Sequence, residues 1–202
     1  MSYQISDYVV IGVDVISYSK KELNDQVQSQ QIVDRCLETA VTAHWKWSKE
    51  DVHWIDAGDG GYLLTNGHAN VAVDIVDTFQ ARIKEETRKW VENDKLHLRY
   101  ALHIDKVKIW DGKFGRKFTG HAINNCARLL NGMNKQQMGQ VVCSGNFLES
   151  VRGFGDIQFE VQRLKDVKDK HGIKHLRHNI WRSPGFGLLA LEEEIHNDPE
   201  HR

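Results

Sequence analysis

At 202 residues, with 40% apolar and 27% charged positions, the chain can bury one sizeable core and is too short to expect two. A formal net charge of −1 gives no global field to gather nucleic acid or an anionic membrane, so any phosphate recognition must come from a few placed cations acting on a small ligand. Cys36, Cys126 and Cys143 cannot all pair within one chain and lie in patterned segments, which argues against a disulfide framework and for the reducing cytoplasm.

The amino-terminal segment MSYQISDYVVIGVD lacks a basic flank, and its apolar run stops far short of the ~20 residues of a membrane span, so neither export nor insertion is expected. Tyr8 to Val13, uncharged and β-branched, reads as a strand buried on both faces, with Asp14 at its end. From Lys21 to about Trp47, Leu23, Val27, Val33, Leu37, Ala40 and Val41 recur at roughly helical spacing. Val52 to Asp56 and Tyr62 to Thr65 form a predicted hairpin around Ala57-Gly58-Asp59-Gly60-Gly61.

A second helix is expected from about Ala69 to Val91, ended by Asn93-Asp94. Leu96 to Ile104 and Val107 to Trp110 read as two strands joined at Asp105-Lys106, followed by a Gly/Lys-rich loop and a helix from Ala122 to Leu130. Gln140 to Cys143 is a strand, Ser144 caps a short helix, and Gln158 to Leu164 pairs with His175 to Trp181 around a Lys-rich turn. This β-α-β-β-α-β order predicts an α+β, ferredoxin-like fold: an antiparallel sheet with helices packed on one face.

An aspartate ending an apolar strand is costly to bury without a cation or hydrogen-bond donors. Alone, Asp14 is as readily a turn cap through Ser17 or Ser19, and Asp59 between glycines is more often just a good turn. In a ferredoxin-like sheet, however, the end of strand one and this hairpin lie side by side, so the two carboxylates converge. Carboxylates holding two hard cations, Mg²⁺ or Mn²⁺, with phosphate oxygens as further ligands suit activation of a hydroxyl and neutralisation of a leaving polyphosphate.

In Gly120-His-Ala-Ile-Asn124-Asn-Cys-Ala-Arg128, Asn124 and Arg128 are four apart and share one helix face. An isolated N-x-x-x-R is more simply a solvated polar face. The three pieces together, Asp14-Val-Ile-Ser-Tyr-Ser, Gly58-Asp59-Gly60 and Gly120-x-x-Ile-Asn124-x-x-Ala-Arg128, resemble the catalytic domain of class III adenylate and guanylate cyclases, over about Tyr8 to Trp181.

The resemblance implies a class III cyclase fold in residues 1–182, with 183–202 a peripheral tail, and cyclisation of a nucleoside triphosphate to a 3′,5′-cyclic monophosphate with release of pyrophosphate. It implies that Asp14 and Asp59, with Val15 beside them, hold two divalent cations, that Asn124 orients the ribose and that Arg128 stabilises the transferring phosphoryl group. Lys165, in Arg163-Leu164-Lys165-Asp166, matches the triphosphate-binding lysine, although Asp166 stands where the family has Gly. Backbone N–H groups of Val15 to Ser19 offer a place for phosphate oxygens, with Ser17, Tyr18 and Ser19 in supporting roles. A head-to-tail homodimer with two shared sites is implied, since the family draws its metal aspartates from one subunit and its Asn and Arg from the other.

The family's purine-reading positions fall on Ile55 and Lys117, which carry neither adenine-reading nor guanine-reading chemistry: Ile55 cannot hydrogen-bond and Lys117 only donates. A bulky Trp54 in the base pocket disfavours a two-ring base, Lys117 suits uracil O4, and Asp56 would accept the N3–H, which points to UTP before CTP. Read blandly, Lys117 belongs to a solvated basic loop and Trp54 packs the core. The chain also resembles the bacterial pyrimidine cyclases of Pycsar anti-phage systems, which implies a cyclic UMP messenger read by a separate effector. The alternatives are a purine cyclase and an inert nucleotide-binding sensor. His171, His175 and His178 do not match a metal-ligand template.

Overall fold

The computed structural model describes residues 3–44, 52–66, 69–91, 95–133, 138–151, 159–168 and 174–182, with side chains described as far as Val151. Strand β1 (Gln4–Val15) is the axis of the fold, lying between β3 (Gly60–Thr65) and β4 (Leu98–Gly112), antiparallel to both. It extends beyond the predicted strand at both ends because Gln4 to Asp7 and Asp14 to Val15 still find ladder partners on β4.

Alternation along β1 divides the interior in two. Val9, Ile11, Val13 and Val15 enter a core shared with α1 (Leu23–His44), α2 (Ala69–Glu86) and α4 (Gly145–Val151), whereas Tyr8 and Val10 enter a second core with α3 (His121–Asn131). Helices therefore cover both faces, not one. At Gly12, an added Cβ would lie 2.8 Å from both Cys126 Sγ and Leu130 Cδ1, so the bare backbone there lets α3 settle onto the sheet.

The strand order is β2-β3-β1-β4-β6-β8-β7, where β2 is Val52–Asp56, β6 Val141–Ser144, β7 Phe159–Lys168 and β8 Lys174–Arg182. The pairing of β4 with β6 is parallel, so the α+β sheet is mixed rather than wholly antiparallel. A parallel neighbour needs a crossover, and α3 lies within that connection.

Two further boundaries differ from expectation. The predicted joint at Asp105-Lys106 does not exist: both residues are ladder members opposite Tyr8 and Asp7, and Lys106 Nζ pairs with Asp7 at 3.3 Å. The Gly/Lys-rich loop contains β5 (Gly115–Gly120), folded back on β4 with Gly115 at φ 95°. Helix α2 stops at Glu86, where Thr87 Oγ1 bonds back to the Ile83 carbonyl, while the proposed Asn93-Asp94 stop lies outside the described residues. No described helix is long and apolar enough to cross a membrane, and Cys36, Cys126 and Cys143 are all free and buried.

Candidate active site

The end of β1 and the tip of the β2–β3 hairpin meet by register. Asp14 is the ladder partner of Gly60, and the Val15 N–H donates to the Asp59 carbonyl at 2.8 Å. Three glycines permit this approach. Gly58 turns at φ 87°; a Cβ on Gly60 (φ 154°) would fall 2.1 Å from the Val13 carbonyl oxygen, and one on Gly61 2.4 Å from that of Ile55. The hairpin tip is drawn onto the strand so closely that only hydrogen fits between the backbones.

Asp14, an even-numbered position of β1, faces the α3 side, and Asp59 stands exposed at the turn. The phenol of Tyr62 registers both: its pKa is raised, first by burial, then by Cys126 and by the negative charges of Asp59 and Asp14. Tyr18 likewise has a raised pKa, from desolvation and then from Asp56 and Asp59.

Arg99, on β4 directly opposite Asp14, was not singled out by the sequence reading. Its Nε donates to Asp14 Oδ2 at 2.9 Å, its Nη2 donates to the same oxygen, and its Nη1 reaches the Met133 carbonyl at 2.6 Å. Both side chains are mostly buried, at 16% and 22% exposure, so each ion is the other's main compensation for lost water. An arginine in the -Leu98-Arg99-Tyr100- strand pattern at the same level as Asp14 was the available signal; it needed the pairing register to be read.

Asp14, Asp59 and the Val15 main-chain carbonyl would offer an all-oxygen donor set, the kind a hard divalent cation takes. Among the described residues no three His, Cys, Asp or Glu side chains converge. The expected phosphate cradle is shorter than Val15 to Ser19, because the Val15 and Ile16 amides are taken by the carbonyls of Asp59 and His97. It starts at Ser17, whose φ of 61° opens the single 3-10 turn Tyr18–Lys20.

Asn124 and Arg128 lie on α3, Asn124 exposed and Arg128 partly buried. The helix passes over β1 so that Cys126 Sγ donates to the Val10 and Ala101 carbonyls, while Met133, just beyond its end, meets Arg99 beside Asp14. Asn124 is therefore about 13 Å along the axis from Met133, whereas Arg128 lies in the last turn of α3, on the Met133 side.

The base-reading positions separate as well. Ile55, like Tyr62, Phe118 and Ile123, packs against the core on the α3 side, whereas Trp54 packs against the α1/α2 core and, with Asp56, Asp59, Val15, Tyr18, Gln30 and Asp34, lines a small cleft beside α1. Adjacent strand residues point oppositely, so Trp54 does not narrow a pocket built around Ile55, and Asp56 is engaged by the Gly58 N–H at 2.8 Å. Lys117 pairs with Trp110, one step from the Ile109–Phe118 pair that faces α3, and is thereby carried to the other side of the β4–β5 ribbon. Lys165 is on β7, where the register shifts between Leu164 and Val167; its side chain, like those of His175 and His178, lies outside the described residues, as does His171 altogether.

No family model matches the chain, and no curated protein matches it in sequence. Solved structures match over nearly its whole length. The guanylyl cyclase Cya2 is 14% identical with a TM-score of 0.72, over 93% of this chain and 98% of that one. The adenylate/guanylate cyclase/hydrolase from Silicibacter pomeroyi is 16% identical with a TM-score of 0.69, over 89% and 98%. The guanylate cyclase domain of RhGC from Catenaria anguillulae, in complex with GTP, is 15% identical with a TM-score of 0.67, over 90% and 99%. The chain thus has the fold of class III adenylate/guanylate cyclase catalytic domains.

Proposed function

We propose that this fold carries a metal-dependent nucleotidyl cyclase, active as a head-to-tail homodimer. The observation that carries the reading is the meeting of Asp14, Val15 and Asp59 at one end of the β1–β3 ladder. In this reading the site is composite: one protomer brings the carboxylates and its partner the amide and guanidinium.

In this reading Asp14, Asp59 and the Val15 carbonyl hold two Mg²⁺ or Mn²⁺ ions, which when bound supply Lewis acidity to the ribose 3′-hydroxyl and offset charge on the leaving pyrophosphate. Asn124 fixes the ribose. Arg128 stabilises charge on the α-phosphoryl group as its bond to the 3′ oxygen forms and the bond to pyrophosphate breaks. Lys165 and the Ser17–Ser19 turn, with Tyr18 behind it, receive the triphosphate. Positioning and charge neutralisation carry the reaction, and no side-chain nucleophile is needed.

The preferred substrate is UTP, then CTP, and the product is a cyclic pyrimidine nucleotide read by a separate effector in bacterial anti-phage signalling. Support for the base is the apolar Ile55, which offers a purine no hydrogen bond; the expected contributions of Lys117 and Trp54 fall away, since the one lies on the other side of the β4–β5 ribbon and the other packs toward α1. A purine cyclase is for that reason the second reading. An inert sensor is disfavoured by the complete set of Asp14, Asp59, Asn124 and Arg128.

Incubating the purified protein with each of the four NTPs and Mn²⁺, and following pyrophosphate and cyclic product, tests all three. UTP turned over fastest is expected. A faster ATP or GTP reaction replaces the pyrimidine assignment, and pyrophosphate from none of the four overturns the cyclase.

A further inference from the structure

The α3 side of the sheet holds a run of polar side chains that the reading above does not use. Arg128 Nη1 donates to Asn125 Oδ1 at 2.8 Å; Asn125 Nδ2 stands 3.4 Å from His103 Nε2; and His103 Nδ1 stands 2.6 Å from Ser144 Oγ. Ser144 Oγ also accepts the Phe147 N–H at 3.2 Å, capping α4. His103 is only 3% exposed, so polar atoms in this run have little water to fall back on.

The directions of these bonds follow from their first member. A guanidinium has no acceptor, so Asn125 must turn its Oδ1 to Arg128 and its Nδ2 to His103. His103 Nε2 must then accept, which puts the ring proton on Nδ1, where it donates to Ser144. Reversing any one group sets donor against donor or acceptor against acceptor. The carboxylate of Asp105 lies 3.9 Å from His103 Nε2, outside hydrogen-bond reach, with its other oxygen held by the Lys106 N–H.

We propose that Asn125 and His103 are positioning residues for Arg128, a relay that fixes the guanidinium from a buried anchor at the start of α4. Arg128 is the residue that most needs such support, since a long arginine side chain gives up much rotamer freedom when held in one pose. The spacing of three between Asn125 and Arg128 places them on one helix face, while the neighbouring Asn124 remains exposed for the ribose. The effect on turnover rests on the cyclase reading; the ordering of Arg128 does not.

The test combines turnover with Arg side-chain NMR on Asn125→Leu, Asn125→Asp and His103→Leu, using protein labelled with ¹⁵N-arginine and the Mn²⁺–NTP pair that gives the fastest product. Asn125→Leu should lower kcat on the order of ten- to a hundredfold with KM within about threefold, as expected when a transition-state contact is loosened rather than lost. Asn125→Asp keeps an acceptor for Arg128, and an imidazolium at His103 can donate to it from Nε2 while Nδ1 still donates to Ser144, so it should recover most of that kcat; His103→Leu should fall between the two. In the NMR arm, the Arg128 Nε–H signal should be ordered in the wild type and Asn125→Asp and mobile in Asn125→Leu. Equal order of Arg128 in wild type and Asn125→Leu overturns the relay, as does an Asn125→Asp kcat no better than that of Asn125→Leu. If the wild type turns over no NTP, the cyclase reading fails by itself, and the NMR comparison still decides the relay.

Discussion

The two faces of the sheet are built from different chemistry. Toward α1, α2 and α4 lies a large core in which the inward residues of β1 are all valine or isoleucine and Phe79 stacks edge-on to Tyr100 at 5.9 Å. Toward α3 lies a smaller core that shares its space with Asp14, Arg99, Tyr62, Cys126, His103, Asn125 and Arg128. Because β1 alternates strictly, one strand serves both, its odd residues holding the fold and its even residues ending in Asp14. Stability and chemistry are thereby assigned to opposite sides of one backbone, and damage to one should leave the other nearly intact.

The largest expected effect is on turnover. Asp59→Ala should cut it on the order of 10³-fold, about 4 kcal/mol of transition-state stabilisation, with little change in Tm because the side chain is exposed. Mixing Asp59→Ala with Arg128→Ala should restore about a quarter of wild-type activity, since half of randomly mixed dimers carry both defects on one site and leave the other whole. A drop in Tm that tracks the loss, or no recovery on mixing, would break the division of labour between faces or between subunits. Next comes Phe79→Ala, which removes a fully buried ring and should cost about 3–5 kcal/mol in urea unfolding while the folded protein keeps its kcat. Smaller again is Arg99→Gln, expected to cost about 1–3 kcal/mol by leaving the Asp14 carboxylate half-compensated. An unchanged stability there would show that Asp14 does not need Arg99 as its partner.

The same asymmetry explains what could be read in advance. The face toward α1 and α2 announces itself by periodicity, so both long helices and the hairpin are legible in the sequence, and β1 through its apolar centre Tyr8 to Val13. Asp14 and Asp59 were brought together by the strand-hairpin adjacency alone. What failed was whatever depended on register across the sheet. The continuity of β4 through Asp105-Lys106 comes from β1 residues a hundred positions away, and β5 reads as a loop until β4 supplies its partner. The grouping of Trp54, Ile55, Asp56 and Lys117 into one pocket overlooked the period of two along a strand. Arg99 and the Asn125–His103–Ser144 run were missed for the related reason that each bond joins residues from different elements, and no local pattern marks them.

A last effect, read as a slope against pH rather than as a single loss, probes a discordant group on α2. Asp77 lies on α2, and burial alone pushes its carboxyl up to about 7 from an ordinary 3.8. A folded pKa above the unfolded one means that the native state binds the proton more tightly. The stability linked to Asp77 is therefore fully present below about pH 4 and is lost as pH rises toward 7, at up to about 1.4 kcal/mol per pH unit. Asp77→Asn keeps the shape and cannot ionise, so it should flatten that slope, matching the wild type near pH 4 and exceeding it at pH 8. Urea midpoints at pH 4, 6 and 8 for both proteins measure this. Parallel lines would mean that the carboxylate is already compensated within the fold, and that the α2 side tolerates a charge as well as the α3 side does.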